Sequence, residues 1–459
     1  MRRSAIMVPV LVIVLAPFAA RTAGAEAPAH NYRGAAAHDP RFEDKQLWPM
    51  LKGKESYAAQ AWPKGRLMVW AKPGTSGGRR VRGGINLLDP SNWTEDGKPC
   101  RKVVFDENTD IVLPASDTPY QINGREDRGW PDAFRHITVE RNAVLGGGGD
   151  GKGRKIHGNV WIKPGGGMDA QGATQFLGAG HAFFRNDNTM KTARGTGRGQ
   201  GIMSSQYFVF NKTDGASVEF LGHVTVLDEF RIHGCTVIVG PDSKLQPGRN
   251  AAPSIQQGGV LALMDGAVFE SWNNDFGNPE MTVRDGTIQG GMPDRPLLRS
   301  CTFGLAFKNY TKAEHKSLDE KQRRRRFVRV PSLVVLSGAL RSYTTDPQAA
   351  RLTFSVMENQ HIAPLPGTRN YERSVQRRPE NKALFAWMME LPHGTDVFLG
   401  PDVAVENVEF DHLRKGGLMM ADPSKRGGWR NVSFGPNCAG GDADVLISPT
   451  KSLDRNMQY

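Results

Sequence analysis

The stretch CTVIVGPDSKLQPG (Cys235–Gly248) decides the fold, because it joins two short β-type runs through a Gly-Pro-Asp turn. A second stretch, TDVFLGPDVAVENVEF (Thr395–Phe410), has the same layout of alternating apolar residues, Gly-Pro-Asp and another alternating run. Alternation with a period of two is typical of a strand with one buried side. Gly, Pro and Asp are turn residues. A chain that contains this unit twice is predicted to repeat a strand–turn–strand architecture.

Runs of four to seven residues rich in Val, Ile, Phe and Thr follow one another from about residue 103, separated by Gly, Asn, Asp and Pro. Glycine accounts for 53 of 459 residues, above the usual share of about 7%. Sandwiches, propellers and parallel β-helices all contain many short strands. A recurring unit of an apolar pair, a glycine and a further apolar residue favours the parallel β-helix. The sequence shows no propeller blade period of about 40–45 residues. We therefore expect an all-β fold, a right-handed parallel β-helix (solenoid).

The two Gly-Pro-Asp triplets are 160 residues apart. If one coil takes about 20–25 residues, roughly seven coils would separate them. Helical patterns are local, at 311–326 and 382–391. Loop insertions are expected at 185–201, 311–326 and 361–382, and such loops usually carry function.

Residues 1–25 have the layout of a secretory signal: two early arginines, an apolar run and a small-residue region. A retained membrane anchor is the alternative. Residues 26–99 are expected to form an irregular lead-in and N-terminal cap, 100–445 the β-helix domain and 446–459 a C-terminal tail. No later run is apolar enough to span a membrane, so the mature chain is expected to be secreted, periplasmic or at the cell surface.

The chain is basic, with a formal charge of +12, and removal of residues 1–25 lowers it to +9 by taking away three arginines. For an exported protein this predicts an anionic polysaccharide or cell-envelope polymer as partner, rather than nucleic acid. The alternative is that the charge only keeps the protein soluble. No cofactor is indicated, and the sequence leaves a calcium requirement open.

The four cysteines, Cys100, Cys235, Cys301 and Cys438, are far apart and lack the spacing of a zinc site. Cys235 and Cys301 lie in apolar runs and are expected to be buried core residues.

The run GGGGDGKG (146–153) has the glycines and the lysine of a phosphate-binding loop. It lacks the hydroxyl residue after Lys152, so a turn between coils is the preferred interpretation.

DPSNWTEDGKP, DENTDIVLPAS and HITVERNAVLGGGG, between residues 89 and 149, resemble the entry coils of secreted right-handed β-helix proteins of the pectate lyase and polygalacturonase type. The segment 103–174 is also similar to the eight-glycine domain of cell-surface hyaluronidase-like proteins. The resemblance implies the fold of residues 100–440. Neither the paired-aspartate signature of polygalacturonases nor a pectate lyase catalytic signature occurs in the sequence, so no catalytic residue is carried over.

The run LDEFRIHG (227–234) carries charges that a coil does not need. On a strand, Phe230 and Ile232 point to one side and Glu229, Arg231 and His233 to the other. Arg231 would neutralise the carboxylate of an acidic sugar, His233 would remove the neighbouring proton and Glu229 would position it. The alternative is a solvated face with a cross-strand ion pair.

The run NPEMTVRDG (278–286) repeats this layout about two coils further on, with Glu280, Thr282 and Arg284 outward. Both runs could therefore share one groove. Trp272 offers a platform for stacking a sugar ring and Asn274 a hydrogen-bonding group. Asparagine stacking within a turn is the alternative use of this segment.

The run VEFDHLRK (408–415) places Glu409 and Asp411 outward beside His412, a carboxylate pair of the kind that glycoside hydrolysis needs. Glu358 and His361 form a weaker candidate, and the basic run 321–330 could contact a sulfated or uronate polymer. Acid pairs are common on strands, and for the basic run a solvated loop or helix end is the preferred interpretation.

Two functions follow from these patterns. The first is an enzyme, a polysaccharide lyase that cleaves an anionic polysaccharide by β-elimination, or else a glycoside hydrolase. The second is a non-catalytic cell-surface or adhesion module that binds glycan or envelope polymers through the same face. The charged runs favour the first, and the absence of a catalytic signature from the sequence favours the second.

Overall fold

A computed structural model describes residues 65–78, 84–123, 133–146, 154–178, 181–188, 203–212, 216–249, 253–273, 281–306, 327–329, 333–357, 362–364, 397–413, 417–421, 429–438 and 446–447, with single positions between 367 and 382. The expected signal at 1–25, the helical window 311–326 and nearly all of 382–391 lie outside these residues. No helix of membrane-spanning length and hydropathy occurs in the described part of the chain.

The described elements are short strands and one 3-10 helix, Pro90–Asn92. The strands are β1 (Arg66–Trp70), β2 (Trp93–Glu95), β3 (Lys98–Pro99), β4 (Thr109–Leu113), β5 (Tyr120–Ile122), β6 (Ala133–Phe134), β7 (Ile137–Val139), β8 (Ala143–Gly146), β9 (Arg154–Ile156), β10 (Val160–Ile162), β11 (Gly167–Gly178), β12 (His181–Asn186), β13 (Met203–Lys212), β14 (Ser217–His233), β15 (Thr236–Val239), β16 (Lys244–Arg249), β17 (Ser254–Leu263), β18 (Val268–Asn273), β19 (Met281–Gly290), β20 (Cys301–Ala306), β21 (Phe327–Arg329), β22 (Leu333–Val335), β23 (Gly338–Ser342), β24 (Leu352–Met357), β25 (Ile362–Pro364), β26 (Val397–Leu399), β27 (Val403–Asp411), β28 (Leu418–Met420), β29 (Arg430–Phe434) and β30 (Leu446–Ile447). The expectation of an all-β fold is confirmed.

Twenty-eight of the described strands form one sheet, and nearly all of its pairings are parallel. Their register separates them into three ladders. Ladder 1 runs β1, β4, β7, β10, β12, the start of β14, β15, the ends of β17 and β19, β23 and the starts of β27 and β29. Ladder 2 runs β5, β8, the starts of β11 and β13, the middle of β14, β16, β18, β20, β24 and the ends of β27 and β29. Ladder 3 runs β6, β9, the ends of β11, β13 and β14, the starts of β17 and β19, β22, β26, β28 and β30.

The chain visits the ladders in the fixed order 1, 2, 3, and we call one such set of three strands a rung. Adjacent rungs differ in length, since Val239 pairs with Leu263 but Gly290 pairs with Ser342. The longest insertions leave at the corner between ladders 2 and 3, after β20 and after β24. Within them, β21 and β25 pair with each other as a separate antiparallel sheet.

The apolar core lies between the ladders and is built from side chains stacked in register. In ladder 2, Phe269, Phe303, Phe354, Phe410 and Phe434 occupy the same position in five successive rungs. Their ring centroids are 4.9, 5.0, 5.6 and 6.0 Å apart in that order. Cys235 and Cys301 are also buried in this core, as their apolar runs predict, and no disulfide joins any of the four cysteines.

An aromatic cluster covers the N-terminal end of the core. The antiparallel strands β1 and β2 bring Trp70 opposite Trp93, and the two rings meet edge to face at 5.1 Å. Phe105 packs against Trp93 in the same way at 5.2 Å. Among the described residues, strand pairing thus runs from β1 to β30.

The two Gly-Pro-Asp triplets are both corners, but they are corners of different kinds. Asp242 has a φ of 53° and joins ladder 1 to ladder 2. Gly400, which precedes the step from ladder 3 to ladder 1, lies so close to the previous rung that a Cβ would be 2.1 Å from the Leu336 carbonyl oxygen. The expectation of seven coils between them is wrong. Ladder 1 takes four steps, β15–β17–β19–β23–β27, because long insertions consume the other residues.

The phenylalanine column predicts that Phe303→Ala lowers the free energy of unfolding by about 3–5 kcal/mol, because the side chain is fully buried and stacked on both sides. Thr302→Ala, on the neighbouring outward position of the same strand, is the matched control and should cost less than about 0.5 kcal/mol. Denaturant unfolding followed by circular dichroism measures both. Equal effects from the two variants would contradict the assignment of Phe303 to the core.

Candidate functional site

Each ladder has an outer surface, which we call surface 1, 2 or 3 after its ladder. Surface 1 is closed over most of its length, although its side chains point away from the core. One column of outward positions runs through Phe183, Glu219, Ile238, Ala262 and Gln289. All five are at most 3% exposed. This surface therefore offers little room for a ligand.

The segment between β19 and β20 supplies part of this cover. Arg295 places Nη2 3.1 Å from Oε1 of Glu219, with both side chains buried. Met292 packs on Ile238 and Ala262. A buried ion pair of this kind is costly to break, because removing one partner leaves an uncompensated charge. The segment thus closes surface 1 and does not form a site.

A buried polar group begins the same column. Asp110 accepts two hydrogen bonds from Arg135, one from Nε at 2.8 Å and one from Nη2 at 2.5 Å. The backbone N–H of Asn159 donates to Nδ1 of His136 at 2.9 Å. Burial, with the charge of Arg135 beside it, lowers the pKa of His136 well below its ordinary value, whereas burial raises the pKa of Asp110 to about 6. The group is inaccessible, so its role is structural.

Surface 3 is closed in its later rungs and open in its earlier ones. Val334, Phe398 and Met419 point outward in register and are fully buried. Earlier, Arg231 and His233 are half-buried, whereas Phe230 and Ile232 beside them are buried in the core. Of the alternation expected for 227–234, the part with described side chains, Phe230–His233, is present in β14.

The second predicted run joins the first on this surface. His233 pairs with Gln256 on the next strand of ladder 3, and Gln256 pairs with Arg284 on the strand after that. Because this distance is two strand spacings, the backbones of His233 and Arg284 lie about 10 Å apart. Arg231 lies in the adjacent column, which continues through Ser254 and Thr282.

Surface 3 is basic where it is open. Arg284 is exposed and makes no hydrogen bond or ion pair with the described residues. Lys155 and His157 lie in the same two columns, on an earlier rung. Among the side chains described in these columns, none is acidic. An extended anion lying across the strands would therefore meet cations on separate rungs.

Four of the predicted site residues lack a described side chain. Glu229 and Trp272 have backbones in β14 and β18, opposite Tyr207 and Gly248. Asn274 and Glu280 lie outside the described residues, as do Glu358 and His361. Side chains of the basic run 321–330 are likewise outside the described part of the chain.

Surface 2 carries a polar chain that the sequence patterns did not single out. His223 Nε2 is 3.2 Å from Oε1 of Gln246, and Nε2 of Gln246 donates to Oε1 of Glu270 at 3.2 Å. Lys244 forms an ion pair with the other oxygen of Glu270. Burial lowers the pKa of His223 below its ordinary value, and Lys244 adds to the effect. The imidazole is therefore neutral at neutral pH.

The corner before His223 is held tightly. Gly222 has a φ of 82°, and a Cβ there would lie 2.1 Å from the backbone oxygen of Asn186. The Asn186 side-chain amide donates to the carbonyl oxygen of His223 at 2.7 Å. Only glycine fits this close approach, which fixes the direction in which His223 leaves the corner.

The carboxylate pair expected at 408–415 is present on surface 2, but its geometry does not suit acid catalysis. Asp411 is held by the backbone N–H and the side-chain amide of Asn437, at 3.0 and 2.9 Å. Despite burial, these bonds lower the pKa of Asp411, so it stays ionised and cannot act as the general acid. Oε2 of Glu409 lies 3.7 Å from Nη1 of Arg351.

The neighbouring Ser355, His412 and Asp411 do not form a catalytic triad. Ser355 Oγ lies 3.1 Å and Asp411 Oδ2 3.2 Å from the same ring atom, Nδ1 of His412. A triad needs the hydroxyl on one ring nitrogen and the carboxylate on the other.

Comparisons with known proteins do not assign the chain to a family. No family model matches it, and no match was found among curated proteins or among solved structures. Among the described residues, no group of three or more His, Cys, Asp or Glu side chains could hold a metal ion.

The buried state of His136 predicts a pH effect on stability. The unfolded histidine takes up a proton at its ordinary pKa of about 6.5 and the folded one does not, so stability is lost as the pH falls below that value. His136→Asn, which keeps an acceptor for Asn159, should not show this loss. Relative to the variant, the wild type should lose about 1.4 kcal/mol per pH unit.

Asp110 acts in the opposite direction between its unfolded and folded pKa values, because the folded state holds its proton more tightly. It is present in both proteins, so comparing them at each pH separates its effect from that of His136. Unfolding curves from pH 8 to pH 5 make the measurement. Parallel pH dependences for the two proteins would show that His136 is not held neutral.

Proposed function

We propose that the protein is an exported right-handed parallel β-helix that binds an extended anionic polysaccharide or envelope polymer along surface 3. Three parallel ladders visited in constant order around one core support the β-helix. The right-handed sense follows the general preference of parallel strand connections. The leader-like residues 1–25 support export.

The observation that carries the proposal is the arrangement of Arg231, His233 and Arg284 on one open surface. Arg231 and His233 leave β14 side by side, and Arg284 follows in the His233 column after one intervening strand. Repeated charges on a polymer meet these groups in turn. Arginine suits this task because its planar guanidinium pairs with carboxylates through two parallel bonds.

The chemistry that these residues favour is β-elimination on an acidic sugar. Arg231 and Arg284 bind the carboxylates, and a histidine takes the proton next to one of them. The charged run proposes His233 for this step, with Glu229 to position it. The roles proposed from the sequence for Trp272, Asn274 and Glu280 are stacking on a sugar ring for the first and hydrogen bonds to the polymer for the other two. A glycoside hydrolase is the less favoured enzyme, because Asp411 remains ionised.

A non-catalytic binding module is the second candidate function. The hydrogen-bond partners of Asp411 support it, because the carboxylate pair is tied into the scaffold instead of facing a substrate. Such a module uses the same cations and the same open surface, and differs only in leaving the polymer intact.

Binding should depend on Arg284. The purified mature protein is titrated with uronate and sulfated polysaccharides by calorimetry at several salt concentrations. Arg284→Ala should weaken affinity about tenfold and reduce its salt dependence, because a charge-assisted contact and its screening are lost together.

Arg430→Ala is the matched control for Arg284→Ala. It removes another exposed arginine, at the far end of surface 1, whose Nη2 lies 2.9 Å from Oε2 of Glu406. Equal losses in the two variants would mean that net charge, and not surface 3, binds the polymer.

Cleavage should form a new double bond at the ends of the products. Absorbance of unsaturated ends, recorded with reducing sugar for each polymer, detects it. Arg231→Ala should abolish the product because the carboxylate is no longer neutralised. Polymer that is bound but never cut would establish the non-catalytic module, and cleavage that survives Arg231→Ala would remove Arg231 from the site.

A further inference from the structure

On surface 2 the geometry points to a site that the charged runs do not include: we infer that His223 is the group that takes a proton from an acidic sugar polymer. The inference rests on the substrate class proposed above but not on the residues of surface 3. Four side chains on three successive strands build the site: His223 on β14, Lys244 and Gln246 on β16, and Glu270 on β18.

Hydrogen-bond roles fix the tautomer of His223. An ionised Glu270 can only accept, so the Gln246 amide must turn its NH₂ toward Glu270 and its oxygen toward His223. That oxygen needs a donor, and Nε2 of His223 must therefore carry the proton. Nδ1 is left with a lone pair and makes no hydrogen bond to the described residues. A neutral imidazole in this form is ready to accept a proton.

The site is also preorganised. The Gly222 corner and the Asn186 bond fix the backbone of His223, and Gln246 fixes its ring. The charged groups that face the ring from the described neighbouring strands are Lys244 and Glu270. They lie on one side, along the ladder, and the half-buried ring keeps contact with solvent. A base held by a second layer of bonded groups is the arrangement that catalysis requires.

The reaction balances without any oxidant or metal. His223 Nδ1 takes the proton from the sugar carbon next to the carboxylate, and the electron pair left behind forms a double bond to the neighbouring carbon. The glycosidic C–O bond at that carbon breaks, and the departing oxygen takes a proton from water. Lys244, one strand on in the same column as His223, supplies positive charge beside the substrate carboxylate.

One polymer can reach surfaces 2 and 3 at β14. This strand runs without an insertion from ladder 1 through ladder 2 to ladder 3, so His223 and Arg231 lie on one continuous stretch of chain. Binding at Arg231 and proton transfer at His223 are therefore compatible with one substrate.

The test compares His223→Gln with His233→Gln. The first variant keeps a donor for Gln246 but removes the base at Nδ1, and the second makes the same change at the other candidate. For the polymer that the wild type cleaves best, His223→Gln should lower turnover at least 100-fold, with binding and unfolding temperature unchanged. At saturating polymer, His233→Gln should lower turnover far less than His223→Gln does, because its loss falls on binding at surface 3. The reverse pattern would assign the base to His233 and overturn the inference.

Failure here is distinguishable from failure of the proposed function. A wild-type protein that binds the polymer without forming product overturns the role of His223 and leaves surface 3 as a binding site. A protein that neither binds nor cleaves any polymer of the panel overturns both.

A measurement without substrate tests the site itself. Long-range proton–nitrogen NMR on the full mature chain should show His223 neutral at pH 7, with the proton on Nε2. Glu270→Gln should mix the two tautomers, because Gln246 is no longer forced to present its oxygen. A protonated ring, or the opposite tautomer in the wild type, would overturn the assignment.

Discussion

In-register stacking of inward side chains is the constraint on which the rest of the structure depends. Each inward residue rests on its counterpart in the rung before, as in the phenylalanine column from Phe269 to Phe434. Because side chains alternate along a strand, this stacking also sets every outward position. A slip of one residue in β14 would bury Arg231 and expose Phe230. The candidate sites therefore exist only because the core fixes the register.

The same constraint explains why the three outer surfaces differ. Every rung must place something outward, and the chain can cover those positions or leave them open. Surface 1 is apolar or paired where it is covered, as at Ile238 and Glu219. Surface 3 is apolar and buried at Phe398 but polar and open at Arg231 and Arg284. Surface 2 stays polar and half-buried over many rungs, which is where His223 lies.

Patterns of period two could be predicted from the sequence, and long-range registration could not. The alternation of 227–234, the buried Cys235 and the turns at Gly-Pro-Asp all follow from local residue types. The number of rungs between the two triplets could not be predicted in this way. The lengths of the insertions after β20 and β24 cannot be recognised from the repeated pattern. The sequence also did not predict whether an outward face is covered. Phe398, for example, points outward and is nevertheless fully buried.

The His223 site was missed for a physical reason. Its members lie in three separate runs, HVTV, KLQPG and VFES, each of which looks like ordinary scaffold. Only the register brings His223, Gln246 and Glu270 onto neighbouring strands. Aligning polar outward residues at the spacing of one rung would have found them.

The proposed function requires that one open outer surface presents Arg231 and Arg284 together to an anionic polymer. A crystal structure of the mature chain with an acidic oligosaccharide tests it most directly. The account predicts ordered sugar across β14, β17 and β19, with its carboxylates in hydrogen-bonding contact with both guanidinium groups. A complex with no sugar on surface 3, or with Arg231 and Arg284 on different faces, would contradict it.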